Sequence, residues 1–239
     1  MTVLYTVSQG VAVLTLNRPE SRNALNRAMC DGLIDAAGAA AADPGVKIFL
    51  VKANGSVFCS GADLKERQGM SESQVRERRM RGFAAYAALE ALPMPAIAVV
   101  QGAAVGSGCE IACACDFIVA TPQASFRTPE ALRGTVGATQ RLPRILGKRL
   151  AKDLMFTGRT LSAEEARAAG LVSRLVPAID LEKVIEEMKT EILKAPASSL
   201  KLAKRCVDRG VELDPQGALD AEIAAIEEQF AAGSWMGRK

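Results

Sequence analysis

A run of apolar residues in the middle of the chain constrains the fold more than any other feature. Ala96 to Val100 contains no polar side chain, and a glycine-rich turn, Gly102 to Gly108, leads from it into a predicted helix, Cys109 to Cys115. Phe117 to Ala120 is a second apolar run directly after that helix. Strands without a polar face are buried on both sides, which is typical of parallel sheets covered by helices. The pattern therefore predicts an α/β fold with parallel strand pairing.

The stretch from residue 96 to residue 120 is also about long enough to cross a lipid bilayer. It contains Glu110, Asp116 and a cluster of glycines. Ionisable side chains are costly against hydrocarbon. We therefore expect a strand, a turn and a helix inside a soluble core, with no membrane partner.

The rest of the chain continues the alternation of strands and helices and then becomes helical. Residues 3–16 predict a β-hairpin, Asn26 can cap a helix that runs to about Ala42, and residues 72–91 predict a charged helix. After about Leu175 only helical patterns occur. We therefore divide the chain into a core over residues 1–190 and a C-terminal helical region over residues 191–239. The last helix carries an apolar stripe suited to its own core or to a neighbouring subunit: Leu219, Ile223, Ile226 and Phe230.

The chain contains no histidine. This excludes Ser-His-Asp and Cys-His nucleophile activation and histidine-ligated zinc, so acid–base chemistry falls to Asp, Glu, Lys, Tyr or Cys. The net charge of +3 is too weak to indicate nucleic-acid binding. The basic helix face at residues 76–81 is interpreted as a solvated surface.

The six cysteines do not have the spacing of a zinc site, because C-x3-C-x-C at Cys109, Cys113 and Cys115 lacks paired C-x2-C knuckles. The N-terminus shows no signal peptide. We therefore expect reduced thiols that act as small apolar residues in a cytoplasmic protein, and no metal.

Two loops connect strand-like residues to predicted helices, at residues 58–66 and 102–110. Turns of this kind leave backbone N–H groups unpaired at a helix start, and two such groups can hold a developing oxyanion. Tight packing of strand on helix explains either loop equally well. The second loop has Cys109 and Glu110 where a dinucleotide fingerprint needs its remaining glycine, which disfavours a Rossmann site.

Two glutamates are the candidate proton-transfer groups. Glu110 lies in an otherwise apolar helix, where a carboxylate is costly to bury without a task or a partner. Glu130 follows Pro129 at a predicted helix start. Each also has an ordinary explanation as an acid in the first turn of a helix, so the local pattern leaves both roles open.

Several segments occur in a set order: LNRPESRNAL (16–25), FCSGADLKE (58–66), CEIACACD (109–116), SF with PE (125–130), TQRLPR (139–144) and TGR (157–159), followed by AEEA (163–166) and GLV (170–172). Together they resemble the crotonase (enoyl-CoA hydratase/isomerase) family over about residues 10–177. The combination is far more specific than any one segment. The resemblance implies a crotonase-like spiral of repeated ββα units, followed by helices used for trimerisation.

The resemblance also implies where an acyl-CoA substrate binds. The thioester carbonyl would lie between the backbone N–H groups of Ala62 and Ser107, with Ser107 in place of the family's usual glycine. Coenzyme A is then part of the substrate, and no separate cofactor is expected. The implied CoA- and substrate-binding residues are Ala24, Ser60, Gly61, Ala62, Asp63, Leu64, Lys65 and Gly106. The implied assembly is a homotrimer or a hexamer formed by two trimers.

Hydratases of this family use two glutamates, and both positions are glutamate here. The resemblance therefore implies syn addition of water to a 2-enoyl-CoA, with Glu110 as the base toward water and Glu130 delivering a proton to Cα. The alternatives are an enoyl-CoA isomerase or another enolate-forming enzyme, and, in a different class, a non-catalytic or RNA-binding member.

Two departures from the family pattern concern the substrate pocket. Arg127 stands where a small residue is usual. Residues 134–140 form a segment about three residues shorter than the family's usual one, beside the expected acyl pocket. A different acyl group or reaction is compatible with both changes.

Overall fold

The structure is a computed structural model that describes residues 1–233. Its strands form two sheets. The larger has the order β1-β2-β3-β5-β7-β10, and the smaller has the order β4-β6-β8-β9. The strands are β1 Val3–Ser8, β2 Val11–Leu16, β3 Ile48–Ala53, β4 Val57–Cys59, β5 Ala96–Val100, β6 Ala103–Val105, β7 Phe117–Ala120, β8 Ser125–Arg127, β9 Leu161–Ser162 and β10 Arg174–Leu175.

Eight α-helices are described alongside these sheets within residues 1–233. They are α1 Arg27–Ala42, α2 Glu72–Glu90, α3 Ser107–Cys113, α4 Arg141–Thr157, α5 Ala163–Ala168, α6 Leu181–Leu193, α7 Ala197–Gly210 and α8 Pro215–Ala231. The predicted α/β class is thereby confirmed. The pairs β2–β3, β3–β5, β5–β7, β4–β6 and β6–β8 are all parallel.

The local signals explain where the elements begin and turn. β1 and β2 form the predicted antiparallel hairpin, with Gln9 and Gly10 both at positive φ in its turn. Asn26 caps α1 by accepting from the N–H of Met29, as predicted. Ser71 and Gln74 form a capping box at the start of α2.

The strand order brings the two predicted loops together. β4 and β6 are parallel neighbours with Val57 opposite Ala103. Each strand leads at its carboxyl end into one of the two loops, so both loops lie at the same edge of the smaller sheet. A bridge between Leu25 and Ala62 holds the first loop against the segment before α1.

The core confirms the interpretation of the apolar run. All five residues of β5 are buried, and α3 packs behind them with Ile111 and Ala112 fully buried. No helix within residues 1–233 combines the length and the apolar character needed to cross a bilayer. α3 begins at Ser107, two residues earlier than predicted, because Gly106 takes up a backbone conformation that starts the helix there.

The cysteines are free thiols, and four of the six are buried: Cys30, Cys59, Cys109 and Cys115. Burial raises the pKa of Cys59 to about 12, so this thiol is uncharged at neutral pH. These four residues therefore act as small apolar core residues.

The apolar stripe of α8 does not pack into the core. Leu219, Ile223 and Ile226 are between 40% and 50% exposed, while α8 packs against α7. Of the two alternatives for this stripe, packing into the protein's own core is therefore wrong for these three residues. The proposed C-terminal region includes residues 234–239, which lie outside the described residues.

Candidate active site

Two backbone N–H groups face a common space where the two loops meet. After β4 the chain turns through Gly61, which has a φ of 102°, and reaches Ala62. After β6 it turns through Gly106 and reaches Ser107, the first residue of α3. Within residues 1–233, neither the N–H of Ala62 nor that of Ser107 has a hydrogen-bond acceptor. This pair of unused donors can bind an oxyanion.

Gly106 is essential to this arrangement. Its φ of 52° and ψ of −110° lie in a region that other residues adopt only with strain. A Cβ atom at this position would lie 2.6 Å from Oε1 of Glu130. The glycine therefore both aims the following N–H and leaves room for a carboxylate.

A cavity of about 500 Å³ lies beside the two N–H groups. Both predicted acids, Glu110 and Glu130, line it, together with Ala62 and Ser107. The remaining lining residues are Gly61, Leu64, Arg67, Arg78, Arg79, Gly82, Phe83, Tyr86, Val105, Gly106, Pro129, Arg133, Thr135, Val136, Gly137 and Ala138.

Glu110 is buried and has a charged partner. It lies in the first turn of α3, and its Oε2 accepts a hydrogen bond from Nη1 of Arg141 at 2.7 Å. The same guanidinium bonds Glu90 at 2.7 Å and stacks on the ring of Tyr86, 5.8 Å from the centroid. Arg141 thus supplies the partner that a buried carboxylate needs and holds Glu110 in one orientation.

Glu130 has a different environment. Its Oε2 is buried without a hydrogen-bond partner among the described residues, and its side chain lies close to Gly106 and Gly137. Burial raises the pKa of Glu130. Its own backbone N–H opposes this rise, while the charge of Glu110 adds to it. Glu130 therefore retains its proton to higher pH than an ordinary glutamate.

The raised pKa gives a stability prediction for Glu130→Gln. Below the ordinary glutamate pKa, the folded and unfolded states both carry the proton, so this group adds no pH dependence. As the pH rises, the folded state must bury a charge, and the wild type loses stability that the Gln variant keeps. We expect the variant's advantage in unfolding free energy to grow as the pH rises from about 4 towards neutrality.

Urea unfolding of both proteins across this pH range measures the difference. Glu227→Gln, at an exposed position of α8, is the control and should show no such trend. A wild-type-to-Glu130→Gln difference that stays constant with pH would contradict the assignment.

The predicted CoA-binding residues divide into two groups. Gly61, Ala62, Leu64 and Gly106 line the cavity, whereas Ala24, Ser60, Asp63 and Lys65 do not. Asp63 bonds Arg18 at 2.9 Å, which lowers the pKa of Asp63 even though burial acts in the opposite direction. Asp63 also accepts from the N–H of Lys65, so its carboxylate supports the loop.

The two departures have different positions. Arg127 does not line the cavity, and its Nε donates to the carbonyl of Gly158 at 2.6 Å, tying β8 to the end of α4. The shortened segment does line it, through Val136, Gly137 and Ala138. A Cβ atom at Gly137 would lie 2.8 Å from Cγ of Glu130, so the segment packs directly on this acid.

Sequence analysis did not assign Arg141, which contacts Glu110 without lining the cavity, to the site. Arg141 belongs to the TQRLPR segment, but nothing local shows that it contacts a residue 31 positions away. The interpretation of residues 76–81 as a solvated face is wrong for Arg78, which is buried, and for Arg79, which lines the cavity. Arg79, Phe83 and Tyr86 are spaced as one face of α2, and this spacing is the signal that could have found them. Tyr86 also lies beside the side chain of Ser107.

The chain is similar to known proteins in both sequence and fold. Residues 6–237 match the family model described as enoyl-CoA hydratase/isomerase. A probable enoyl-CoA hydratase of Mycobacterium tuberculosis is 38% identical over 233 residues, covering 96% of this chain and 90% of that protein. A crotonyl-CoA hydratase of Syntrophomonas wolfei is 35% identical over 225 residues, covering 92% and 86%. The crystal structure of an enoyl-CoA hydratase from Bacillus anthracis superposes with a TM-score of 0.92 at 34% identity, covering 95% and 90%.

Proposed function

Because this chain belongs to the enoyl-CoA hydratase/isomerase family and is therefore a crotonase-type enzyme, we propose that it is a hydratase that adds water to a 2-enoyl-CoA thioester. One observation carries the proposal. The unused N–H groups of Ala62 and Ser107 face a cavity that also holds two glutamates, Glu110 and Glu130. A thioester enolate and two proton transfers need these groups.

The proposed reaction begins with the thioester carbonyl accepting hydrogen bonds from Ala62 and Ser107. Water attacks Cβ while Glu110 removes one of its protons, and the electrons of the double bond move onto the thioester oxygen. The two N–H groups stabilise this enolate charge. Glu130 then delivers its proton to Cα, which completes the syn addition.

The surroundings of each acid support these roles. Arg141 orients Glu110 and compensates its charge inside the protein, which suits a base that must be ionised before the reaction. Burial raises the pKa of Glu130, which suits an acid that must hold a proton near neutral pH.

Further parts of the proposal concern binding and assembly. The CoA moiety would run along Ala24, Ser60, Asp63 and Lys65, outside the cavity, and would need no separate cofactor. The exposed stripe on α8 supports assembly into a trimer or a pair of trimers. We also propose that the enzyme is located in the cytoplasm.

One observation favours a double-bond isomerase as the second candidate. Oε2 of Glu110 is occupied by Arg141, whereas Glu130 has a free buried oxygen beside the same cavity. Glu130 alone could move a proton between Cα and Cγ, and no water would be added.

Incubation with 2-enoyl-CoA in ¹⁸O-water separates the two reactions. A hydratase is expected to give a 3-hydroxyacyl-CoA that contains the heavy oxygen, detected by mass spectrometry. An isomerase gives a shifted double bond without ¹⁸O. A product free of ¹⁸O, or no reaction across short and medium acyl chains, would contradict the hydratase assignment.

A further inference from the structure

The cavity contains more arginines than the hydration of an apolar chain needs. Arg67, Arg78, Arg79 and Arg133 line it, against two glutamates, Glu110 and Glu130. With both carboxylates counted as ionised, the four positive and two negative charges leave a formal charge of +2 on the lining. Arg78 and Glu110 have charged partners outside it, Glu66 and Arg141 respectively. A positive charge is unfavourable where its donors are buried without a partner, as Nε of Arg67 is, whereas Arg133 is exposed.

The arginines differ in their partners. Arg78 is satisfied, because its Nε bonds Glu66 at 2.6 Å and its Nη2 donates to the carbonyl of Leu25. Arg79 donates to the carbonyl of Val136 and forms no ion pair among the described residues. Arg79 therefore has a positive charge that no carboxylate neutralises directly.

Arg67 and Arg133 have still fewer partners. Within residues 1–233, neither side chain makes a hydrogen bond or an ion pair, and Nε of Arg67 is buried without an acceptor. Burial lowers the pKa of Arg67, and the nearby charges of Arg78 and Arg79 lower it further. An anion placed among these guanidinium groups would relieve both penalties.

Arg79 and Arg133 lie close enough to Glu130, the proposed proton donor to Cα, to act on its charge. Arg133 is three residues after Glu130, and both Arg79 and Arg133 act electrostatically on Glu130. The proposed CoA contacts at Ala24, Ser60 and Lys65 lie outside this space. Ala62 and Ser107, which would hold the thioester carbonyl, line the cavity, so the acyl group attached to that carbonyl extends into it.

We infer that the acyl group carries an anionic end, a carboxylate that binds Arg67 and Arg133 with help from Arg79. The inference rests on the proposed function, because it assumes a CoA thioester held at Ala62 and Ser107. A planar guanidinium can bind a carboxylate with two parallel hydrogen bonds. The cavity of about 500 Å³ fits a short dicarboxylic chain.

The phosphates of CoA are a second source of negative charge that these arginines could bind. A matched pair of substrates separates the two sources. 4-Carboxybut-2-enoyl-CoA carries the carboxylate, and 5-methylhex-2-enoyl-CoA replaces it with an isopropyl group of similar shape. Both molecules have the same CoA moiety.

We expect wild-type kcat/KM to be about 10- to 100-fold higher for the carboxylated substrate, the value of a charge-assisted hydrogen-bonded contact. Arg67→Met and Arg133→Met should each remove most of this preference, because kcat/KM for the carboxylated substrate falls far more than kcat/KM for the neutral one. Turnover of the neutral substrate shows that each variant is folded. Arg76→Met, on the exposed side of α2, removes a charge outside the cavity and should leave the preference intact.

Two results would overturn the inference. The first is a wild type that hydrates the neutral substrate as well as, or better than, the carboxylated one. The second is an equal loss for both substrates in Arg67→Met and Arg133→Met, which would assign the arginines to CoA.

A binding measurement separates this inference from the hydratase proposal. Calorimetry with glutaryl-CoA and 5-methylhexanoyl-CoA, which have no double bond to hydrate, tests recognition alone. A preference for glutaryl-CoA that Arg67→Met abolishes supports the inference even if no hydration occurs. Hydration without any such preference rejects the inference and leaves the hydratase proposal in place.

Discussion

Glu110→Gln is expected to lower kcat for 2-enoyl-CoA hydration about 10²- to 10⁴-fold, the range for loss of one general acid or base. The amide keeps the size of the side chain and can still accept from Arg141, but it cannot take a proton from water. Glu130→Gln should cause a loss in the same range, because its amide cannot deliver a proton to Cα. Steady-state hydration of crotonyl-CoA measures both effects.

The controls for this prediction use the other carboxylate on Arg141. Glu90→Gln removes the ion pair between Arg141 and a carboxylate that is 55% exposed. It should change kcat by no more than about fivefold, the range for pairs with an exposed partner. The double variant Glu110→Gln with Glu130→Gln should be little worse than the poorer single variant, since both acids serve one reaction. Near wild-type turnover in both single variants would contradict the two-acid mechanism.

Gly106→Ala is expected to lower kcat by about 100-fold or more and to destabilise the fold by about 1–3 kcal/mol. The stability loss follows from the backbone conformation, which only glycine adopts without strain. The activity loss follows from position, because the new Cβ would lie 2.6 Å from Oε1 of Glu130. Relief of this contact moves either the carboxylate or the N–H of Ser107, and small displacements at reacting groups are costly in rate.

Gly170→Ala is the matched control for Gly106→Ala. Gly170 has a φ of 86°, so alanine is strained there too, but nothing lies within 4 Å of its added Cβ. It also lies outside the cavity lining. We expect Gly170→Ala to lose a similar amount of unfolding free energy. Its kcat should equal that of the wild type at temperatures below the unfolding transition. An active Gly106→Ala protein, with kcat equal to that of Gly170→Ala, would show that Gly106 does not position the site.

Much of the fold could be predicted from the chain because its signals are local. The apolar residues of β5 and β7 indicate strands buried on both faces, and Asn26 marks the start of α1. These patterns depend on side chains a few positions apart, where periodicity and capping act directly. The start of α3 was misplaced by two residues because the conformation of Gly106 is set by contacts with other strands.

The sequence also identified the two candidate acids, but it did not show how their surroundings differ. Glu110 and Glu130 look alike as helix acids near glycine-rich turns. The fold places Arg141 against Glu110, while Glu130 is enclosed near Gly106 and Gly137 without a partner for one oxygen. The resulting difference between the two carboxylates comes from neighbours that are distant along the chain.

The sequence by itself determined the α/β class, the two glycine-rich loops and the two glutamates, since each depends on residues adjacent in the chain. Only the tertiary structure decided that Ala62 and Ser107, whose N–H groups are unused, line one cavity and that Arg67, Arg79 and Arg133 line the same cavity. The physical reason is that strand order and helix packing, rather than local periodicity, determine which distant side chains share a low-dielectric space. Both the pKa of an acid and the charge of a substrate that a pocket accepts depend on that space.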